Sequence, residues 1–423
     1  MADSKKKTIS AASSAVKVVK AGSAKVSTRP VVIGEPKNRK LSVYPVVTVS
    51  PKVKDWPTPA SDYVDFSSLP FEDNQAIFYE SRLGKFPQNG PAEILADTSL
   101  YQAHMEELVN DIPKLVPEDY EGYVIIDYEK WSLLWHRTQS EYQDAWVAAL
   151  TEAQPAAVQM WEDEGVDAYW EGMAASYNAA ARRIFTDTIT ACRRLRPKAK
   201  WGYYFRVFNM LNDDLTPVDT AIEDNNELAW LFQISDFVCP NLYTPYKVDQ
   251  NTDLEKHTMS YHDRRSLAET VAVEATRIGR EHGCDVLPII WPKYNEKGST
   301  YYHQFWNAET IAATLEGMAY GYVEKFFFWY GIGSEKDAAD LMDFINKIFI
   351  PEWSKVLIEG SEIDVPDDNE DDTDTEPPTN PDGVKIEGGY VLPEKEGLKV
   401  ISDDEKVELM LSWKTIDQTR QML

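Results

Sequence analysis

Tyr123-Val-Ile-Ile-Asp-Tyr-Glu129 opens as an apolar, β-branched run and closes on two carboxylates two positions apart. On a strand, successive side chains alternate between faces, so Asp127 and Glu129 point the same way. Two like charges held that close cannot both ionise cheaply. One pKa rises and that group becomes a general acid near neutral pH, while the other stays anionic. Cleavage of a glycosidic bond needs such a pair of environments. The tripeptide alone is weak: acids at a strand end also cap the next helix or pair with neighbours such as Lys130 or Arg137. The apolar run before the pair and Trp131 and Trp135 after it supply the context that favours a site.

Working outward, similar short apolar or aromatic runs recur at Val43–Val49, Gln75–Glu80, Lys200–Phe205, Phe237–Tyr243, Asp285–Trp291 and Lys325–Tyr330. Between them lie longer stretches of helical periodicity, at Leu100–Ile112, in a long segment ending near Arg196 before Pro197, and at Arg264–His282, Ala308–Ala319 and Ala338–Ile348. Strand alternating with helix signals βα units and a parallel sheet, hence an α/β fold. About seven strands suit a (β/α) barrel of TIM type better than an open sheet. In such barrels chemistry gathers at the C-terminal strand ends. Those ends read Tyr79-Glu80-Ser81, Asp127-Tyr128-Glu129, Tyr203-Tyr204-Phe205, Asn241-Leu242-Tyr243 and Trp329-Tyr330.

The chain has 423 residues, 43% of them hydrophobic, enough for one large domain with tails. Thirteen Trp and twenty-two Tyr fill a core or line a cleft, where a flat ring stacks on a sugar face. The net charge of −27 is uneven. Residues 1–55 hold twelve Lys and Arg against three acids, which leaves −36 for the rest. An acidic body repels polyanions and argues against nucleic acid as the main ligand. Residues 1–40 form a basic low-complexity arm, 41–358 the barrel, 359–382 an acidic Pro/Thr linker, and 383–423 a short appendix without an assigned role. The arm and linker suit attachment to a larger assembly. Cys192, Cys239 and Cys284 are odd in number and lack zinc or redox spacing, which fits a reducing compartment. The six histidines are scattered without metal-ligand spacing and are expected in surface or capping roles, and no cofactor or metal is expected. Neither a signal-peptide core nor a membrane span is evident, so a cytoplasmic or virion-associated protein is expected.

From Gln75 to Gly333 the sequence resembles the hyaluronidase family, glycoside hydrolase family 56. The resemblance is carried in order by Phe78-Tyr-Glu-Ser-Arg-Leu-Gly-Lys-Phe-Pro87, Gly122-Tyr-Val-Ile-Ile-Asp-Tyr-Glu-Lys-Trp131 with Leu134-Trp135, Trp201-Gly-Tyr-Tyr204 after Arg196-Pro197, Asn226-Glu-Leu-Ala-Trp230 with Pro240-Asn-Leu-Tyr-Thr-Pro245, and Glu316-Gly-Met-Ala-Tyr-Gly-Tyr-Val-Glu-Lys-Phe-Phe-Phe-Trp329. The disulfide cysteines usual in that family are missing. The resemblance implies a retaining, substrate-assisted endo-N-acetylhexosaminidase acting on hyaluronan- or chondroitin-like polymers. In it Glu129 would donate the proton and Asp127 would orient the acetamido group, whose oxygen attacks. Tyr204 and Tyr243 match tyrosines that hydrogen-bond the reacting sugar, and Tyr79 and Trp329 match groove positions. A polyanion would need local positive charge, for which Arg82, Arg206 and Arg265 are the candidates, Arg265 being placed in the substrate-binding set. A neutral N-acetylhexosamine polymer is equally admissible. A chitinase-type barrel is the nearest enzymatic alternative. A non-catalytic glycan-binding, virion or surface protein on the same barrel is the alternative from another class.

Overall fold

The computed structural model describes residues 40–50, 60–204, 206–212, 215–249 and 257–356, and the backbone of four strands between 384 and 412. The basic arm up to residue 39 and the acidic linker lie outside the described residues. Among the described residues no helix is long and apolar enough to cross a membrane.

The chain runs β1 (Ser42–Val49), β2 (Ala76–Tyr79), α1 (Ala92–Ala96), α2 (Thr98–Leu115) and β3 (Tyr123–Asp127). Three helices follow, α3 (Ser140–Ala153), α4 (Pro155–Glu164) and α5 (Val166–Leu195), before β4 (Lys200–Tyr203). Next come α6 (Ala221–Glu227), α7 (Ala229–Gln233), β5 (Phe237–Val238), β6 (Lys247–Val248), β7 (Thr258–Met259) and α8 (Tyr261–His282). The last stretch holds β8 (Asp285–Val286), β9 (Ile289–Ile290), α9 (Ala308–Tyr320), β10 (Lys325–Ile332), α10 (Glu335–Phe344) and α11 (Ile350–Trp353).

The strand pairings are parallel. β1 runs along β10 from Ser42 opposite Lys325 to Val49 opposite Ile332, and β10 pairs with β9. β2 pairs with β3, β3 with β4, and β5 with β8. Single parallel bridges join Tyr204 to Cys239 and Asn241 to Ile289. Between β1 and β2, the Gln75 N–H donates to the Pro45 carbonyl at 2.7 Å, and the Asn74 amide bonds both backbone groups of Val47. β4 approaches β5 so closely that a Cβ on Gly202 would sit 2.7 Å from the Phe237 carbonyl oxygen. The strands expected over Phe237–Tyr243 and Asp285–Trp291 are shorter than the sequence suggests. Pro240 and Pro288 lack the N–H that a ladder needs, so each run breaks there and resumes as a bridge or a second short strand.

The alternation along β3 divides the core. Val124 and Ile126 face outward, into a cluster with Leu108, Ile112, Ile184, Phe185 and Ile189 of α2 and α5. Tyr123 and Ile125 face inward, into a cluster that takes side chains from β1, β2, β5, β9 and β10, namely Val46, Ile77, Phe237, Ile289 and Phe327, together with Leu287. One end of this inner cluster is an aromatic plug, in which Tyr123, Phe237 and Phe327 meet pairwise edge-on with centroids 5.4–5.6 Å apart. Beneath it the Asp285 carboxylate accepts from the Tyr123 hydroxyl at 2.6 Å and from Lys200 at 3.0 Å, and pairs with Lys325 at 2.8 Å. No sequence pattern points to this network, because its members come from the N-terminal ends of four separate strands.

Residues 363–423 make a separate compact unit. Its strands β11 (Val384–Ile386), β12 (Gly389–Glu394), β13 (Gly397–Ser402) and β14 (Glu408–Ser412) form an antiparallel sheet in chain order.

Candidate active site

Asp127 is the last residue of β3 and continues the inward parity of Tyr123 and Ile125, so its carboxyl caps the inner cluster with only 5% of its surface exposed. Glu129 lies past the strand end and opens to solvent. Tyr128 between them turns outward and donates its hydroxyl to the Leu83 carbonyl. Its ring packs on Phe86, which stacks on Trp131 at 5.2 Å, and the Trp131 indole donates to the Pro87 carbonyl at 2.8 Å. The Leu83–Pro87 turn after β2 is thus locked to the residues flanking the carboxylates. Glu80 adds the closest hold: one of its oxygens accepts the backbone N–H of Glu129 at 2.7 Å and of Lys130 at 3.0 Å.

The two carboxyl groups lie within hydrogen-bonding range of each other. Burial, the Glu129 charge and the Glu80 charge push Asp127 well above the usual carboxylate range, against the pull of Arg206. Burial raises Glu129 as well, opposed by its bond to Asp127 and by Arg206. Both shifts favour the protonated carboxyl, most strongly at the more buried Asp127.

Four aromatic groups complete the rim. Tyr204 and Tyr243 lie with ring centroids 6.3 Å apart and their hydroxyls are hydrogen-bonded. Burial raises both phenols, and the carboxylates of Asp127 and Glu129 add to the shift of Tyr204. The Trp329 indole donates to the Tyr79 hydroxyl at 3.2 Å, and burial pushes that phenol up to about 12. Tyr243 stacks on Trp329 at 6.2 Å, and Trp291 meets both rings. Asp127, Glu129, Tyr204, Tyr243, Tyr79 and Trp329 thus gather at one set of strand ends. At neutral pH the phenols are un-ionised donors beside the two adjoining carboxyl groups.

Arg265 lies elsewhere. It sits on α8 against α9, with its guanidinium over the Tyr320 ring at 4.9 Å, because the helix carries it away from the strand ends. The cation beside the carboxylates is Arg206. It lies over Phe185 at 5.2 Å, bonds the Trp131 carbonyl at 3.4 Å, and has buried Nε and Nη2 groups without a hydrogen-bond partner among the described residues. Arg206 and Glu129 line one pocket of about 200 Å³ with Trp131, Ser132 and Arg137. Arg82 lines a second pocket of about 340 Å³ with Tyr79 and Ser81. Arg137 does not pair with the carboxylates; it binds Asp224 together with His136. His104 departs from the surface role expected of the histidines. It is a core residue bonded to Thr188 at 3.0 Å, and burial lowers its pKa to about 4. Among the described residues no cluster of His, Cys, Asp and Glu could hold a metal ion.

The profile of a family described as hyaluronidase matches residues 66–347. A chondroitin hydrolase of Caenorhabditis elegans is 27% identical over 265 residues, which are 57% of this chain and 52% of that protein. A hyaluronidase of Apis mellifera is 22% identical over 300 residues, 67% of this chain and 70% of that protein. The chain therefore spans about half the length of the first relative and more of the second. The crystal structure of bee venom hyaluronidase in complex with a hyaluronic acid tetramer superposes with a TM-score of 0.56 at 20% identity, covering 74% of this chain and 98% of that one.

Proposed function

As the chain belongs to the hyaluronidase family, we propose that it hydrolyses β-linked N-acetylhexosaminide polymers of the hyaluronan or chondroitin type, with retention and with help from the substrate's own acetamido group. The observation that carries this reading is the convergence of the buried Asp127 carboxyl and Glu129 with the phenols of Tyr204 and Tyr243 at one set of strand ends.

Burial favours the proton on Asp127, whereas the reaction needs it on Glu129. Substrate supplies the shift. An acetamido N–H pointed at Asp127 gives that carboxylate a donor of its own, and the hydrogen bond between the carboxyls carries the proton to Glu129. Glu129 then protonates the glycosidic oxygen while the acetamido carbonyl oxygen bonds to the anomeric carbon and the leaving sugar departs. The positive charge that develops on the acetamido group sits against anionic Asp127, where burial makes the attraction strong. Water next attacks the anomeric carbon, Glu129 takes its proton, and the acetamido group is restored. Tyr204 and Tyr243, held un-ionised, donate hydrogen bonds to the reacting sugar, and Trp329 with Tyr79 lines the groove.

We also read the parallel strands as one closed seven-stranded barrel, counting β8 and β9 as a single interrupted strand. The two bridges and the contact of β1 with β2 support it. The basic arm and acidic linker are read as attachment segments. Cys192, Cys239 and Cys284 are buried and form no disulfide, which suits action in a reducing compartment.

The test is release of reducing ends from hyaluronan, chondroitin and chitin by purified protein and by Glu129→Gln. Cleavage that disappears in the variant while polymer binding persists is the expected result. Folded parent protein that cuts none of the three polymers overturns the enzymatic reading, and unchanged binding and cleavage in the variant favour a scaffold.

A further inference from the structure

Trp131, Trp146, Trp201, Trp329 and Trp353 each donate the indole N–H to a protein oxygen, whereas the indole N–H of the buried Trp306 has no partner among the described residues. Trp135 and Trp170 make no such bond among the described residues. Their rings lie 6.5 Å apart, inclined by 34°, with Tyr177 packed against Trp135 at 5.5 Å and Tyr169 edge-on to Trp170 at 4.9 Å. The support is rigid, yet Trp170 is 49% exposed and Val166 one turn earlier is 73% exposed. Large apolar groups left in water beside a fixed aromatic backing mark a binding surface more often than chance exposure does.

The position tells what would bind. α5 descends to the start of β4, so its first turns, which carry Trp170, lie on the side of the strand C-terminal ends. Trp135 stands six residues beyond Glu129, and Ser132 and Leu133 between them line the Glu129 pocket. Trp135 therefore lies on the segment that leaves the Glu129 pocket, with Trp170 packed against it on the same side of the strands. Flat rings with free N–H donors match a pyranose, whose apolar face stacks while its hydroxyls accept. The nearby Arg137 is taken up by Asp224, which leaves stacking as the principal contact.

We propose that Trp135 and Trp170 form an outlying saccharide platform that holds a distal sugar of the polymer cleaved at Asp127 and Glu129. The proposal rests on the functional reading above, and its test is independent of turnover. The full chain carrying Glu129→Gln is run in native gels containing hyaluronan or chondroitin, with and without Trp170→Ala. Loss of one stacked aromatic weakens retardation by about tenfold in polymer concentration. Trp170→Phe retains most of the binding, and high salt leaves the difference between parent and Trp170→Ala in place, because stacking is not screened. Val273→Ser, at an exposed apolar position on α8, serves as the unaffected control. Should Trp170→Ala not fold, Trp170→Gln carries the same expectation. Retardation equal to that of the parent overturns the platform, as does a loss that tracks a change of oligomeric state in light scattering, which would make the patch a self-contact. A parent that is retarded through Trp170 but cleaves nothing sinks the enzymatic reading and leaves the platform standing.

Discussion

Removing the Glu80 side chain tests whether the site depends on the turn that presents Glu129. Glu80 contributes nothing to the reaction in the scheme above, yet it accepts the backbone N–H groups of Glu129 and Lys130 at 2.7 and 3.0 Å. A hydrogen bond to a charged group contributes about 1.5–3 kcal/mol, and the partly open position of Glu80 argues for the lower end. Two such bonds give a loss of roughly 2–3 kcal/mol on Glu80→Ala, with Glu129 freed to move. Misplacement of a proton donor by about 1 Å costs up to about a hundredfold in rate. We expect kcat on hyaluronan to fall by about 30-fold or more, with KM nearly constant because the groove tyrosines remain. Glu80→Gln keeps one acceptor oxygen in place and should recover much of the rate. It also removes a negative charge that raises both carboxyl pKa values, so the acid limb of its pH profile should move to lower pH. Reducing-end assays over a pH series give both readouts. A Glu80→Ala enzyme within twofold of the parent in kcat would refute the reasoning.

Two further outcomes follow from the same electrostatics. Asp127 has a folded-state pKa raised above its unfolded value, so its contribution to stability is fully present below the unfolded value and is lost as pH rises through the folded one. Asp127→Asn should therefore abolish cleavage yet raise Tm by a few degrees at pH 8 and by nothing at pH 4, measured by calorimetry; a variant less stable than the parent at pH 8 contradicts this. At the opposite strand ends, burial works against Asp285, but hydrogen bonds from Lys325, Tyr123 and Lys200 hold its carboxyl down to about 2. Its stabilisation is present above the unfolded value and is lost as pH falls toward 2. Asp285→Asn should cost about 1–2 kcal/mol in neutral denaturant titrations, after discount for partial exposure, and the gap from the parent should close toward pH 2.

How much could be read from the sequence depended on whether a feature was local. β3, β10 and β1 are continuous apolar runs and were legible as strands. β5 and the β8–β9 pair were legible as runs but not as short pieces, because the prolines that break them act only against a neighbouring ladder. Asp127 and Glu129 were legible through parity. Arg265 and Arg206 were not separable on paper. Both are arginines in plausible places, and only the helix on which Arg265 rides sends it to Tyr320. Glu80 was visible as a strand-end acid, but its role is a contact across 49 residues.

The two ends of the inner cluster explain why chemistry gathers where it does. Tyr123, Ile125 and Asp127 share one face of β3, yet the first anchors an aromatic plug and the last adjoins a second carboxyl. At the Tyr123 end the half-buried acid, Asp285, is met by two lysines and a phenol, which satisfy it and fix it as an anion. At the Asp127 end the buried acid meets a second acid, and a single arginine lies beside both. A satisfied carboxylate is stable and inert. An unsatisfied one keeps a proton it can give up when a ligand brings a donor. The same alternation of side chains that builds the core thus places one carboxylate where its charge is neutralised and another where it is not, and only the second is available for catalysis.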